Sequence, residues 1–158
     1  MWMPDPDLRR SALSLVVGEP NRTANLANIA AVIYHTLPDL NWAGFYLWDQ
    51  AAGELVLGPF QGKPACLRIR PDRGVCGAAV RTREPQRVAD VHSFPGHIAC
   101  DAASRSELVI PLLAHGECVG VLDLDSPRVD RFSLHDQETL TTLMQELMPH
   151  LWPQKENL

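Results

Sequence analysis

The sequence has 158 residues, which suits a single globular domain that buries roughly two thirds of the surface of its unfolded chain. Its share of hydrophobic residues, 46%, is ordinary for a soluble protein, and no run approaches the roughly 20 apolar residues of a membrane span. The net charge of −5 argues against nucleic acid as a partner, because phosphate binding favours a basic surface. The apolar segment at residues 13–17 is too short for a signal peptide, so we expect a cytoplasmic protein whose thiols stay reduced.

The first third of the chain predicts one helix followed by two strands. Residues 1–20 contain three prolines and predict a loose arm or one short helix. Residues 21–37 predict a helix, because apolar side chains recur there at helical spacing until Pro38 removes the next amide donor. Residues 41–48 and 54–60 are predicted strands on either side of a turn.

The middle of the chain predicts short elements around one loop. Residues 65–69 are a predicted strand with Cys66 near its start, and residues 73–80 are a predicted loop that leads into a short helix. That glycine-led helix start would expose backbone N–H groups, which favour an anion such as a carboxylate. Residues 86–91 predict another short strand. Residues 96–107 predict a loop, because they show neither helical nor alternating periodicity.

The last third of the chain predicts a β-hairpin and a closing helix. Residues 108–114 and 118–125 flank a short turn, and the helix follows a capping box formed by Ser133 and Asp136. The apolar side of that helix consists of Leu140, Leu143, Met144, Leu147 and Leu151. Together the elements predict an α+β domain, in which a central antiparallel sheet has the N- and C-terminal helices packed on one face.

Four cysteines in a reducing compartment indicate metal binding or redox chemistry before structural disulfides. The set His92, His97 and Cys100 lacks the short paired spacing of zinc sites, so we expect no metal. Cys100 lies in the predicted loop, where it is either a reactive thiol or a loop cysteine without a role. Cys76 lies at the predicted helix start, which can lower the pKa of a thiol. Cys118 alternates onto the leucine-bearing face of its strand, which predicts a small buried side chain.

Acidic and aromatic side chains are predicted near the same loop and hairpin. Asp123 and Asp125 share one strand face, which is unusual unless that face meets solvent or a ligand. A carboxylic acid kept partly neutral by its neighbours can protonate a leaving oxygen, and a carboxylate can bind an ammonium group. Solvated surface acids are the alternative for these two residues and for Glu107. Trp42 and Tyr46 share a face of the first strand, where they form either the wall of a small pocket or part of the core.

Long segments of the sequence match one known enzyme family. The segments are ANLANIAAVIYHTLPDLNWAGFYLW, LGPFQGKPACLRI, RGVCGAAV, ADVHSFPGHIACDAASRSELVIPL and GVLDLDS. In these segments the sequence resembles the free methionine-(R)-sulfoxide reductases, which are stand-alone GAF-domain enzymes, over nearly the whole chain after Asn21. We therefore expect a GAF-like domain at residues 21–152, between an N-terminal arm at residues 1–20 and a tail at residues 153–158.

The resemblance implies thiol-dependent reduction of free methionine R-sulfoxide, without a cofactor and not of sulfoxide within a protein. Cys100 matches the catalytic cysteine of the family, and Cys66 matches the cysteine that forms a disulfide with it. Cys76 matches a third family cysteine, whereas Cys118 has no counterpart. The resemblance also implies thioredoxin as the reductant and is compatible with a homodimer.

The remaining site residues also follow from the resemblance. Trp42 and Tyr46 match the aromatic residues that enclose the methyl end of the substrate. Glu107, Asp123 and Asp125 match the acidic residues of the site, and one of the two aspartates is the expected proton donor. The alternative function is that of a GAF sensor module for a small molecule of the cyclic-nucleotide kind, but such a module has no need for a pair of reactive cysteines.

Overall fold

The computed structural model of the chain describes residues 7–97 and 100–154. The helices in these ranges are α1 (Leu8–Val16), α2 (Arg22–Thr36), α3 (Gly74–Thr82) and α4 (Leu134–Leu151), with a single 3₁₀ turn at Val91–Ser93. The strands are β1 (Trp42–Asp49), β2 (Glu54–Gly62), β3 (Arg68–Ile69), β4 (Gln86–Val88), β5 (Ser106–Ala114) and β6 (Glu117–Ser126). Within these ranges, no helix combines the length and the apolar character that crossing a membrane requires.

The strands form one sheet in the order β3-β2-β1-β6-β5-β4, and every neighbouring pair is antiparallel. The predicted hairpin is the pair β5 and β6, joined through His115 and Gly116, which both have positive φ. Such a pair of left-handed residues suits the twist of a tight two-residue turn. Strands β1, β6 and β5 lie inside the sheet, and most of their side chains are buried.

One face of the sheet carries the main hydrophobic core. Helices α1, α2 and α4 pack there, and the predicted apolar side of α4 is buried as a whole. The predicted capping box of α4 is confirmed, because Ser133 accepts from the backbone of Asp136 and the Asp136 carboxylate accepts from the backbone of Ser133. The expected α+β architecture, with terminal helices on one face of an antiparallel sheet, is therefore confirmed.

The other face of the sheet carries a smaller cluster under α3. The alternation predicted for β1 is confirmed, since Trp42 and Tyr46 point into this cluster while Ala43 and Phe45 point into the main core. Helix α3 covers the centre of this face and brings Cys76 against it. A polar cluster on this face would therefore be sheltered by α3 and by the loops beside it.

Two local predictions are wrong in extent. The strand predicted at residues 65–69 forms only at its last two residues, so Cys66 lies in the loop before β3. The strand predicted at residues 86–91 ends at Val88, because Asp90 caps a 3₁₀ turn with its side chain. Residues 1–20 were predicted to form either a loose arm or one short helix, and the structure shows the helix. This helix, α1, packs its buried side chains into the main core.

Cys118 does not lie on the face predicted for it. The pairing of β5 with β6 shifts register between Leu112 and Leu113, so that Cys118 pairs with Leu113 while Gly120 pairs with Leu112. Directly paired residues share a face, and Leu112 is in the main core whereas Leu113 is exposed. The extra residue in β6 thus turns Cys118 away from the leucine-bearing face, although its side chain is buried as predicted.

Candidate active site

A disulfide joins two loops above the α3 face of the sheet. Cys66 lies between β2 and β3, and Cys100 lies in the connection from β4 to β5. Their Cα atoms are 5.5 Å apart although 34 positions separate them in the sequence. Cys100 lies outside regular secondary structure, as the loop prediction requires, and the pairing implied by the family resemblance is present. Ile98 and Ala99 of the predicted loop lie outside the described residues.

Cys76 is a free, buried thiol in the first turn of α3. Its Sγ lies 3.9 Å from Oε1 of Glu107. Burial raises the pKa of the Cys76 thiol, and the nearby carboxyl groups of Asp123 and Glu107 raise it further. The expectation that the helix start lowers this pKa is therefore wrong. Desolvation and like charge outweigh the helix dipole at a site closed off from water.

Three acidic side chains come from the two central strands β5 and β6. Glu107 lies directly opposite Asp125, and Asp123 lies opposite Val109 one row further along. Glu107 is 8% exposed and Asp123 is 6% exposed, so solvated surface acids are the wrong description for these two residues. Among the residues that the structure describes, no arginine, lysine or histidine lies within salt-bridge distance of the three carboxylates.

This arrangement shifts the pKa of all three acids upward. Burial raises the pKa of Asp123 to about 6, against the contacts with Glu107 and Cys76, which lower it. Burial also raises the pKa values of Glu107 and Asp125, and the charge of Asp123 adds to both shifts. The charge of Asp123 therefore favours the protonated forms of Glu107 and Asp125.

Aromatic rings form one wall beside these acids. Trp42 stacks on Tyr46, with ring centroids 5.8 Å apart, and on Phe60 at 5.2 Å. The Tyr46 hydroxyl donates to the backbone carbonyl of Cys66 at 2.9 Å, and the Trp42 indole donates to the carbonyl of Lys63 at 3.1 Å. Both rings are buried, so they belong to the small core and to the site at once. They also fix the loop that carries Cys66.

These groups enclose a cavity of about 50 Å³. Its described lining includes the rings of Trp42 and Tyr46. Its polar lining comprises Cys76, His97, Cys100, Asp101, Ser104, Glu107, Asp123 and Asp125. The structure thus brings every predicted site residue except Cys66 to the cavity wall, and Cys66 is bonded to Cys100 on that wall.

Glycine 44 shapes the floor of this cavity. Gly44 on β1 pairs directly with Asp123 on β6, while its neighbour Trp42 pairs with Asp125. A Cβ atom at position 44 would lie 2.8 Å from the ring of Trp42 and from the backbone of Phe60. The absence of a side chain at this position therefore lets Trp42 and Phe60 stack beside the acids.

Sequence reasoning missed Asn41, which anchors the loop after Cys100. Its Nδ2 donates to Oδ2 of Asp101 at 3.1 Å and to Oγ of Ser104 at 3.0 Å. Its backbone N–H donates to the carbonyl of Asp125 at 3.0 Å. The only signal in the sequence is that an asparagine immediately precedes the aromatic strand, which is too common to single out.

The histidine–cysteine set considered as a metal site does not come together as ligands. Cys100 is bonded to Cys66, so its sulfur is committed to the disulfide. His92 and His97 meet edge to face, with ring centroids 6.1 Å apart, and only His97 reaches the cavity wall. Burial lowers the pKa of His97, with a further contribution from His92.

Comparisons with known proteins agree with this geometry. Residues 21–151 match the family model of the GAF domain. The free methionine-R-sulfoxide reductase of Escherichia coli K12 is 52% identical to this chain over 141 residues, which are 89% of this chain and 84% of that protein. It therefore aligns with the site as well as with the scaffold.

Two solved structures extend the comparison to three dimensions. The free methionine-R-sulfoxide reductase of Neisseria meningitidis in complex with its substrate superposes with a TM-score of 0.89 at 43% identity, over 92% of this chain and 86% of that chain. The reduced form of fRMsr from Staphylococcus aureus gives a TM-score of 0.87 at 47% identity, over 91% of this chain and 92% of that chain.

Proposed function

The chain belongs to the GAF-domain family of free methionine-R-sulfoxide reductases, and we propose that it reduces free L-methionine (R)-S-oxide to L-methionine. The observation that carries the proposal is the Cys66–Cys100 disulfide on the wall of a cavity that also holds three acids and two stacked aromatic rings. A redox-active thiol pair supplies two electrons, which is the number that sulfoxide reduction consumes.

In the proposed reaction Cys100 is the nucleophile. Its thiolate attacks the sulfoxide sulfur, and two electrons pass from the cysteine sulfur to the substrate sulfur. The oxygen ends on Cys100 as a sulfenic acid, and methionine leaves. The Cys66 thiol then attacks the Cys100 sulfur, and its proton leaves with the sulfenic oxygen as water, which forms the disulfide seen here. An external dithiol restores both thiols by exchange.

We assign the proton donor to Asp125 and the binding of the substrate ammonium to Asp123 and Glu107. Asp125 lines the cavity, and burial and the neighbouring charge of Asp123 raise its pKa, which favours the protonated form that a proton donor needs. Asp123, whose pKa is raised to about 6, offers the negative charge that an ammonium group requires. Recognition of a free ammonium group would explain a preference for the free amino acid over a residue within a protein.

The size of the cavity indicates that reduction of the disulfide precedes substrate binding in the proposed cycle. A volume of about 50 Å³ is far below the roughly 300–1,000 Å³ of pockets that hold small organic ligands. The cavity of the disulfide form is therefore too small for methionine sulfoxide. Reduction must release the Cys100 segment from Cys66 before the next substrate enters. We assign that reduction to thioredoxin, in a reducing compartment such as the cytoplasm.

A coupled assay tests the proposal. Thioredoxin, its reductase and NADPH are incubated with the protein and with either epimer of free methionine sulfoxide. We expect NADPH consumption with the R epimer alone, and none with a peptide that contains methionine sulfoxide. The Cys100→Ser variant should release no methionine even in a single turnover, whereas Cys118→Ala should behave as the unmodified protein. No turnover with either epimer, together with tight binding of a cyclic nucleotide, would support a sensor module instead.

A further inference from the structure

Three potential metal ligands meet on the cavity wall. They are Sγ of Cys76, a carboxylate oxygen of Glu107 and a carboxylate oxygen of Asp123, and all three atoms lie within 4.8 Å of one another. They come from three different elements, α3, β5 and β6, which pack against each other through buried side chains. The positions of the three atoms are therefore fixed by the core rather than by a loop.

One of these groups has an unsatisfied acceptor. Oδ1 of Asp123 is buried without a hydrogen-bond partner among the described residues. A buried carboxylate oxygen without a donor is costly, because it has lost its hydration without replacement. No cationic side chain of the described chain pairs with the cluster, so a bound cation would supply the positive charge that its carboxylates lack.

The volume of the cavity limits the size of that ligand. About 50 Å³ exceeds the roughly 10–15 Å³ that one water molecule needs, but it excludes a free amino acid. In the disulfide form, the ligand that fits is thus a small cation with its remaining water.

The donor set indicates which cation. One thiolate with two carboxylates matches the borderline-soft ions such as Zn²⁺, whereas Mg²⁺ and Ca²⁺ favour sites made of oxygen alone. Three protein ligands leave a fourth tetrahedral position for water. Cys66 and Cys100 do not compete for the ion, because their sulfurs are bonded to each other.

We propose that the disulfide form of the protein binds a divalent cation of the Zn²⁺ class through Cys76, Glu107 and Asp123, and that this ion and the substrate ammonium compete for the same carboxylates. Binding replaces protons of the Cys76 thiol and the Glu107 carboxyl with the metal, so protons are released and no electron is transferred. The second half of the statement rests on the proposed function, because it assumes that the ammonium uses the same carboxylates.

Cobalt is the probe, because a Co²⁺–thiolate bond produces a charge-transfer absorption that Zn²⁺ does not. Oxidised protein, freed of metal with a chelator, is titrated with CoCl₂. We expect a charge-transfer band that saturates at one ion per chain and disappears when Zn²⁺ is added. Cys76→Ser should abolish the band. Cys118→Ser, which removes the other free buried thiol, should leave it unchanged.

Two further variants keep the test decisive if Cys76→Ser fails to fold. Glu107→Gln and Asp123→Asn each remove one oxygen ligand and should weaken cobalt binding by at least about tenfold, with the band retained at high cobalt. Absence of a band in the oxidised protein, or an equal band in folded Cys76→Ser, would overturn the site.

A separate experiment tests the competition with the substrate. In the Cys66→Ser/Cys100→Ser double variant the cavity is not closed by a disulfide, and no turnover consumes the sulfoxide. Free methionine R-sulfoxide should then displace cobalt in a competitive manner, and a band unaffected by saturating sulfoxide would overturn the competition. Failure of the proposed function would look different: the unmodified protein would show no reductase activity while its oxidised form still gave the cobalt band.

Discussion

The side-chain amide of Asn41 bridges to Oδ2 of Asp101 at 3.1 Å, which ties the residue before β1 to the residue after Cys100. The same amide also donates to Ser104, and the backbone of Asn41 donates to Asp125. One residue therefore connects the cysteine-bearing loop to the acid that we assign as proton donor.

Replacing Asn41 with alanine should loosen the loop that carries Cys100. The change removes two hydrogen bonds, each worth about 1 kcal/mol, so we expect the KM for methionine sulfoxide to rise roughly tenfold with a smaller change in kcat. Asn41→Asp should be worse than Asn41→Ala, because it places a second carboxylate against Asp101. Steady-state kinetics of both variants measure this effect.

Gln50→Ala is a matched control for that experiment. Gln50 is an exposed amide that accepts one hydrogen bond from Trp48 in the turn after β1. Its removal should leave KM and kcat unchanged. Equal KM values for Asn41→Ala and the unmodified protein would show that the loop does not depend on this bridge.

The two cysteines near Cys100 are expected to differ in their role. Cys66→Ser should still release one equivalent of methionine per chain, because the nucleophile remains, but it should lose thioredoxin-dependent cycling. Quenched single-turnover assays followed by the coupled NADPH assay separate the two effects. If cycling persists in Cys66→Ser and disappears in Cys66→Ser/Cys76→Ser, Cys76 substitutes as the partner, and Cys66 is not essential.

Asp123 should make folding less favourable as the pH rises. The unfolded carboxyl ionises near its ordinary pKa of 3.8, whereas the folded one holds its proton up to about 6. Between these values the unfolded state loses protons first, so the free energy of unfolding falls, by up to about 3 kcal/mol from this group. Urea denaturation at pH 4 and pH 7 should therefore show a smaller fall for Asp123→Asn than for the unmodified protein.

Asp90 provides a control of opposite sign. The backbone N–H of His92 donates to its carboxylate, which lowers the pKa of Asp90. Its stabilising effect is present above the unfolded pKa and is lost as the pH falls through the folded one. The advantage of the unmodified protein over Asp90→Asn should thus shrink toward low pH. For Asp123, the contradicting result is a free energy of unfolding that falls between pH 4 and pH 7 by the same amount in Asp123→Asn as in the unmodified protein.

Gly44→Ala should destabilise the fold by about 1–3 kcal/mol, because the new methyl group would overlap Trp42 and the backbone of Phe60. Gly58→Ala on the neighbouring strand is the matched control. The Cβ atom added there would lie no closer than 3.1 Å to another heavy atom, the carbonyl oxygen of Phe45. Thermal unfolding of the two variants measures the difference. Equal melting temperatures would mean that Trp42 and Phe60 can move to admit the methyl group without loss of stability.

The sequence predicted those features that depend on periodicity. The alternation of β1, the hairpin of β5 and β6 and the apolar side of α4 follow from the spacing of apolar side chains, which packing on one core enforces. The roles of Cys66 and Cys100 came from the family resemblance. Nothing in the local pattern around either cysteine indicated that they would meet.

The remaining features depend on contacts that local patterns do not encode. The register shift that turns Cys118 to the other face depends on how two strands pair. The alternation of side chains within one strand does not predict it. The raised pKa of Cys76 comes from its burial and then from the charges of Asp123 and Glu107, which are distant in sequence. The bridge from Asn41 to Asp101 spans 60 positions, and its donor is an ordinary asparagine.

The disulfide joins the chain segments next to the two edge strands of the sheet. Cys66 precedes β3 at one edge, and Cys100 follows β4 at the opposite edge. Closing a loop of 34 residues should stabilise the chain by about 4 kcal/mol in the chain-entropy model. The protein should therefore resist heat and proteases better when Cys66 and Cys100 form the disulfide than when both are reduced. Resistance to a protease then reports the redox state of the population without any chemical label.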